Sequence, residues 1–274
     1  MLNHGRALSG AVLGSPISHS LSPLLHNEIF QLLGLTGNYV AQEVKAGELA
    51  NFLKARSDDF TYLSLTMPLK EEALKLGLPV EASVLVAASA NTLVKVESGW
   101  QLYSTDGLGF RRALTHSGIS TLDRVLILGA GATARSIAQV LDPIAKSIDI
   151  LGRSRSREGS FSELVKKSDF NFLSWSNQIE FSDFDLVINT TPAGAADSLA
   201  ERVEKPVATL FDVLYSPWPT ALAKRWSDSG AQVISGSELL LYQGLEQIHL
   251  VSGVDFDFEE LAAPLRKSLN RALL

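Results

Sequence analysis

Apolar positions fall into two kinds of pattern along this chain. In the second half they come as short unbroken runs, at residues 125–128, 148–151, 185–189 and 208–214, of the kind that forms parallel strands buried on both faces. Residues 233–234 end that series. The segments between are helical where they carry signal: a helix at 134–141, and one opening at Ser235 to Glu238, read as a capping box, and running to about residue 250. In the first half, 7–14, 38–44 and 60–65 read as strands, and 48–55 as a short helix. A helix with the apolar stripe Leu24, Leu25, Ile29, Leu32 and Leu33 stops at Gly34, and another starts at Pro68 and ends at Gly77. Strand residues up to Val96, a Ser98-Gly99 turn and residues 101–103 form a hairpin. Asp257 caps a last amphipathic helix, 258–272, while 155–184 carry little signal. No internal repeat or low-complexity segment interrupts the order. Alternating strands and helices predict an α/β protein, and its 274 residues are enough for two domains.

The first of the buried runs ends in Gly129, Ala130, Gly131, Ala132, Thr133 and Ala134, a GxGxxA turn that opens a helix. The first glycine permits a tight turn, the second lets backbone approach a pyrophosphate, and the small third residue lets helix pack on strand. The helix amides then face an anion. An NAD site expects an acidic residue about 20 positions on, for the ribose hydroxyl. Here the strand end carries Gly152 and Arg153, followed by Ser154, Arg155 and Arg157, with Asp149 too early in the strand. Planar guanidinium groups suit a 2′-phosphate, which favours NADP, although such a loop also reads as solvated basic surface.

Composition narrows the class. Hydrophobic residues make up 46% and charged residues 20%, as in an ordinary globular protein. No apolar run approaches the roughly 18 residues of a membrane span, and the first ten residues lack a signal-peptide core, so a cytoplasmic location is expected. A net charge of -6 argues against a nucleic-acid surface. The chain has no cysteine, which excludes disulfides and thiolate chemistry, and its five histidines are scattered, so no metal site is expected.

Candidate chemistry concentrates before residue 110. Ser18, Ser20 and Ser22 crowd a loop before a helix; Ser22 with Pro23 reads as an N-cap and N1 pair, and hydroxyls there also suit a carboxylate or polyol pocket. Lys70 falls in the first turn of a helix, where the dipole disfavours a cation. It is either an exposed lysine offset by Glu71 and Glu72 or one made easier to deprotonate for proton transfer. Asn91 is a turn residue or an amide among small neighbours. Gly107 and Gly109 beside Asp106 suggest a hinge and a domain boundary. Tyr215 and Thr190 follow buried strands, where ligands gather in open parallel sheets, and Tyr215 reads equally as packing beside Pro217 and Trp218. Gln243 caps a surface or reaches into a cleft.

Laid in order, GSPISHSLSPLLHN, TMPLK, ASANTL, STDGLG and GAGATAR resemble five signatures of the shikimate dehydrogenase family over nearly the whole chain. The resemblance implies a substrate domain, residues 1–106 completed by 237–274, and a Rossmann-type NADP domain, 107–236, with the C-terminal helices returning to the first and the active site in the cleft. It implies Lys70 and Asp106 as the catalytic pair, Ser20, Ser22 and Tyr215 at the substrate carboxylate, and Thr66, Asn91 and Gln243 at ring hydroxyls. NADP(H) is implied at Gly129, Gly131, Ala132, Thr133, Ala134, Arg153, Ser154, Arg157, Thr190 and Gly236. The implied reaction is reversible reduction of 3-dehydroshikimate to shikimate by a monomer or homodimer. A sister enzyme that also takes quinate, with NAD or NADP, and a non-catalytic NADPH sensor are the alternatives. Three positions depart from the family pattern: Ser64 and Ser104, each where asparagine is usual, and Gly152 in place of the asparagine of the cofactor motif.

Overall fold

The computed structural model describes residues 7–204 and 208–273. It contains two sheets, each in its own compact unit. One unit takes the chain up to Gly109 and then Leu240–Ala272; the other takes Phe110–Leu239. The chain leaves the first unit within helix Asp106–His116 and re-enters it within helix Gly236–Ser252.

The first sheet holds β1 (Leu8–Gly14), β2 (Gly37–Glu43), β3 (Tyr62–Leu65), β4 (Thr92–Val96) and β5 (Gly99–Tyr103) in the order β2-β1-β3-β4-β5. β1 runs parallel to both β2 and β3, while β4 and β5 form the antiparallel hairpin. Every residue of β3 is buried, because the strand is covered on both faces. Leu63 and Leu65 point into a core with Leu13, Leu69, Leu93, Trp100 and Leu102. Tyr62 and Ser64, one step out of phase, point the other way, toward Tyr39 and His26. Helix Phe258–Ala272 packs on helix Ser22–Leu32, where Ser268 donates to Glu28 at 2.7 Å.

The second sheet is wholly parallel: β6 (Leu122–Leu128), β7 (Ala145–Gly152), β8 (Asp169–Ser174), β9 (Leu186–Asn189), β10 (Thr209–Asp212) and β11 (Val233–Ser235), in the order β11-β10-β9-β6-β7-β8. Read from β8, this is the doubly wound order 3-2-1-4-5-6, which reverses between β6 and β9. Thus the glycine turn after β6 lies at the switch point, where such sheets bind dinucleotides.

Four local expectations change. The stretch 155–184 contains the edge strand β8, which carries no apolar run because only Phe172 of its residues is buried. Ser22 is the first helical residue rather than the cap: its amide donates to Ser20 Oγ at 3.3 Å. The helix bearing Lys70 is a single turn, Leu69–Glu72, continued by a 3-10 turn to Leu76, and four residues sum to little dipole. Gly109, expected only as a hinge glycine, is the last residue of the first unit before the chain enters the second and is also a contact: a Cβ there would lie 2.5–2.7 Å from Gln243 backbone and Cβ atoms, so two helices touch at that glycine. Asp257 does cap its helix, accepting from the Glu259 and Glu260 amides at 2.8 and 3.1 Å. The reading of the first residues as lacking a leader falls partly on 1–6, outside the described residues. No helix among the described residues is long and apolar enough to cross a membrane.

Candidate functional site

Strand direction in the first sheet brings the candidate residues to one edge. β1 and β3 are parallel and end there, at Gly14 and Leu65. Because β4 runs antiparallel to β3, its first residue lies beside the end of β3, and the Leu65 amide donates to the Asn91 carbonyl at 2.7 Å. β5 returns to the same edge and delivers Thr105 and Asp106. The loops after β1 and β3 are tied together by the Ser15 amide on the Met67 carbonyl at 3.1 Å, and the Ala90 amide donates to the Lys70 carbonyl at 3.1 Å.

At that edge Lys70 Nζ lies 2.5 Å from Asp106 Oδ2, an ion pair whose side chains are 16% and 5% exposed. This partner, and not a helix dipole, is what the lysine charge answers to. Asn91 Nδ2 donates to the other carboxylate oxygen at 2.8 Å and to Thr105 Oγ1 at 2.9 Å, with a longer contact to Gln243 Oε1 at 3.3 Å. Its Oδ1 accepts from the Thr105 amide and from Thr92 Oγ1, both at 2.8 Å. Asn91 is therefore neither a loose turn residue nor a free amide. Gln243 reaches this cluster from helix Gly236–Ser252, and Thr105 Oγ1 donates to its carbonyl at 3.1 Å. Ser20 and Ser22 follow β1, and Thr66 follows β3, its carbonyl accepting from the Leu69 amide at 2.8 Å.

Ser64, one of the three departures, turns away from this edge. It accepts from the Tyr39 hydroxyl at 2.5 Å and donates to Gln247 Oε1 at 2.9 Å. Gln247 and Thr105 were not singled out in the sequence. The signal for Gln247 was its spacing, four residues after Gln243 and hence on the same helix face.

The second unit holds the glycine turn. Gly129 has φ +101°, and a Cβ there would meet Thr190 Oγ1 at 2.7 Å. Thr190 itself donates to the Leu128 carbonyl at 2.8 Å. Gly131 differs: a Cβ would meet nothing within 4 Å, so protein packing does not require that glycine. Gly131 caps helix Ala132–Leu141 without a side-chain cap bond, and the positive end of that helix dipole suits an anion. Gly236 is required by contact, since a Cβ would fall 2.1 Å from the Val213 carbonyl oxygen.

Beyond β7, Arg153, Ser154, Arg155 and Arg157 are all exposed. Arg155 is engaged with Glu158 at 2.9 and 3.0 Å, and Ser154 Oγ accepts from the Ser156 amide at 3.2 Å, whereas Arg153 has no side-chain partner among the described residues. Asp149 faces Asn171 at 2.8 Å and Arg124 at 3.5 Å, a structural use. The Gly152 departure has a steric reason, as a Cβ would meet the Phe172 ring at 2.5 Å. Tyr215 is half-buried beyond β10 in this same unit. Asp212, also missed in the sequence, ends β10 fully buried. Burial raises its pKa, against donation from Thr220, Asn189 and the Leu214 amide, and these bonds tie the ends of β9 and β10 together. No group of three or more potential metal ligands occurs among the described residues.

Comparison with known proteins places this geometry. Residues 12–93 match the model of the shikimate dehydrogenase substrate binding domain. A relative from Methanococcoides burtonii, a shikimate dehydrogenase (NADP(+)), is 36% identical over 89% of this chain and 91% of its own length. The chain belongs to the shikimate dehydrogenase family. Shikimate dehydrogenase of Mycobacterium tuberculosis has the same fold, with TM-score 0.85 and 30% identity over 95% of this chain and 99% of that one. The Thermus thermophilus enzyme, whose structure is a complex with NADP(H) and shikimate, matches with TM-score 0.80 and 28% identity over 95% of this chain and 99% of that one. The matched substrate-binding segment contains Ser20, Ser22, Thr66, Lys70 and Asn91, and it stops before Asp106.

Proposed function

We propose that this family member catalyses the reversible, NADPH-dependent reduction of 3-dehydroshikimate to shikimate, with Lys70 and Asp106 as the catalytic pair. The observation that carries the reading is the Lys70–Asp106 pair, steadied by Asn91 and joined by Gln243, with Ser20, Ser22 and Thr66 following β1 and β3 at the same end of the sheet. When bound, NADPH supplies the hydride. The protein's part is to accept the negative charge that develops on the carbonyl oxygen as that carbon is reduced, and the Lys70 ammonium donates the proton there. Asp106 keeps the ammonium in place. In the oxidative direction the same lysine takes the proton back. Ser20 and Ser22 bind the substrate carboxylate, and Thr66 and Gln243 the ring hydroxyls. Asn91 contributes by holding Asp106, and a substrate hydroxyl replaces its long contact to Gln243.

Gly129, Gly131, Ala132, Thr133 and Ala134 hold the pyrophosphate, with Thr190 packed against that turn and Gly236, packed on Val213 after β10, as a further cofactor position. Arg153, with Ser154 and Arg157, takes the 2′-phosphate. The open space at Gly131 and the unpartnered Arg153 fit such a cofactor. We read the protein as a cytoplasmic enzyme of small molecules.

The test is the initial oxidative rate with shikimate and with quinate, each with NADP and with NAD. Activity confined largely to shikimate with NADP is expected. Comparable quinate turnover would move the assignment to the sister enzyme, and silence in all four with NADPH still bound would make the chain a sensor. Arg153→Ala should weaken NADP at least about tenfold more than NAD, the scale of one lost charge-assisted bond. Equal losses for both cofactors would take that arginine off the 2′-phosphate.

A further inference from the structure

Helix Gly236–Ser252 carries two carboxamides one turn apart, and only Gln243 has a part in the reading above. Gln247 is fully buried. An amide taken out of water costs about 1–3 kcal/mol by mutational measures unless its hydrogen bonds are remade, and here they are remade in a single direction. The Tyr39 hydroxyl donates to Ser64 at 2.5 Å, and Ser64 donates to Gln247 Oε1 at 2.9 Å. Gln247 Nε2 donates to Thr92 Oγ1 at 2.8 Å, with a longer contact to the Asn91 carbonyl at 3.4 Å. A hydroxyl that accepts from Gln247 keeps its own proton for another acceptor, and Thr92 gives it to Asn91 Oδ1 at 2.8 Å. With Oδ1 so engaged, Asn91 Nδ2 faces Asp106 Oδ1 at 2.8 Å. The opposite amide orientation would set a carbonyl against the carboxylate and an NH2 against the Thr92 proton. The chain of donors therefore ends on the carboxylate that holds Lys70, and such chains polarise in the same sense.

We propose that Gln247 is a positioning residue for the reaction: acting through Thr92, and alongside the Thr105 amide that also donates to Asn91 Oδ1, it holds the Asn91 carboxamide in the orientation that donates to Asp106, and so keeps Asp106 in register with Lys70. The proposal rests on the reading of Lys70 and Asp106 as the catalytic pair. Ser64 belongs to this support, so its small side chain serves the amide of Gln247 and not the substrate.

The test compares wild type, Gln247→Met, Thr92→Val and the double variant. Gln247→Met keeps the side-chain length and removes the amide. Each single change should lower kcat about tenfold while the KM for NADP stays unchanged, and the double variant should be no slower than the slower single, since both cut one path. Losses that multiply, or a lower Tm with kcat unchanged, would overturn the proposal. A second readout needs no turnover: the side-chain amide protons of Asn91, assigned by their loss in Asn91→Ala, should be protected from exchange in wild type and lose protection in Gln247→Met. A wild type silent on shikimate would count against the proposed activity, and unchanged Asn91 protection in Gln247→Met would then overturn the positioning role on its own.

Discussion

His26 is fully buried, stacked on Tyr39 with ring centroids 4.0 Å apart, and hydrogen-bonded through Nδ1 to the Tyr62 hydroxyl at 2.8 Å. Burial drives its pKa from 6.5 down to about 3, against a smaller upward pull from Gln247. A base whose folded value is depressed contributes its full stability above the unfolded value and loses it as pH falls. The window therefore runs from pH 6.5 to about 3, with a slope near 1.4 kcal/mol per pH unit. His26→Gln should flatten the fall of Tm across that window, and a slope equal to wild type would assign the acid sensitivity elsewhere. Lys70→Ala should cut turnover by about 10²–10⁴, the usual share of a positioned proton donor, with NADPH binding nearly intact. Undiminished turnover would remove Lys70 from the mechanism. At this scale the sequence yielded residue types but not their partners. Lys70 and Asp106 stood out by motif, yet the ion pair between them joins positions 36 apart and is created by sheet topology. Gln247 stayed hidden because a buried glutamine among leucines looks like any helix position until Ser64 and Thr92 arrive beside it.

Among the elements, helix Gly236–Ser252 is held closely by its neighbours. Gly109 meets its backbone, and at Gly244 a Cβ would stand 2.7 Å from Leu25. Gly109→Ala should therefore destabilise the protein by about 1–3 kcal/mol, the cost of overpacking, and raise the substrate KM because Gln243 is what must move. Gly159→Ala, inside a short helix where a Cβ meets nothing, is the control and should leave the urea midpoint unchanged or slightly raised. A Gly109→Ala protein as stable as the control would mean the two helices slide apart freely. Strands buried on both faces and capped helices were legible because their patterns are local. β8 was not, since an edge strand with one buried side chain offers only the brief alternation of Phe170 and Phe172 with polar neighbours. The turn at Lys70 was misjudged in length, because where a helix gives way to a 3-10 turn depends on packing that periodicity does not report.

For the whole molecule, order along the chain was the readable part. The glycine turn after β6 and the run of later strands announced a doubly wound sheet, and the strand order supplies its switch point at β6 and β9. The first unit is different in kind, for it is assembled from two separated stretches, and the last of them includes helix Phe258–Ala272, seated on helix Ser22–Leu32. That discontinuity has a consequence for biosynthesis. A chain emerges from the ribosome N-terminus first, so β1 to β5 and helix Ser22–Leu32 appear early yet lack helix Gly236–Ser252, whose Gln247 meets Ser64, and helix Phe258–Ala272. The contiguous stretch 110–239 can finish folding while the earlier residues still wait, and the Lys70–Asp106 edge receives Gln243 and Gln247 only after that stretch has been made. The part of the enzyme made first is thus completed last, and for that interval its half-covered sheet is the surface a nascent-chain chaperone would meet.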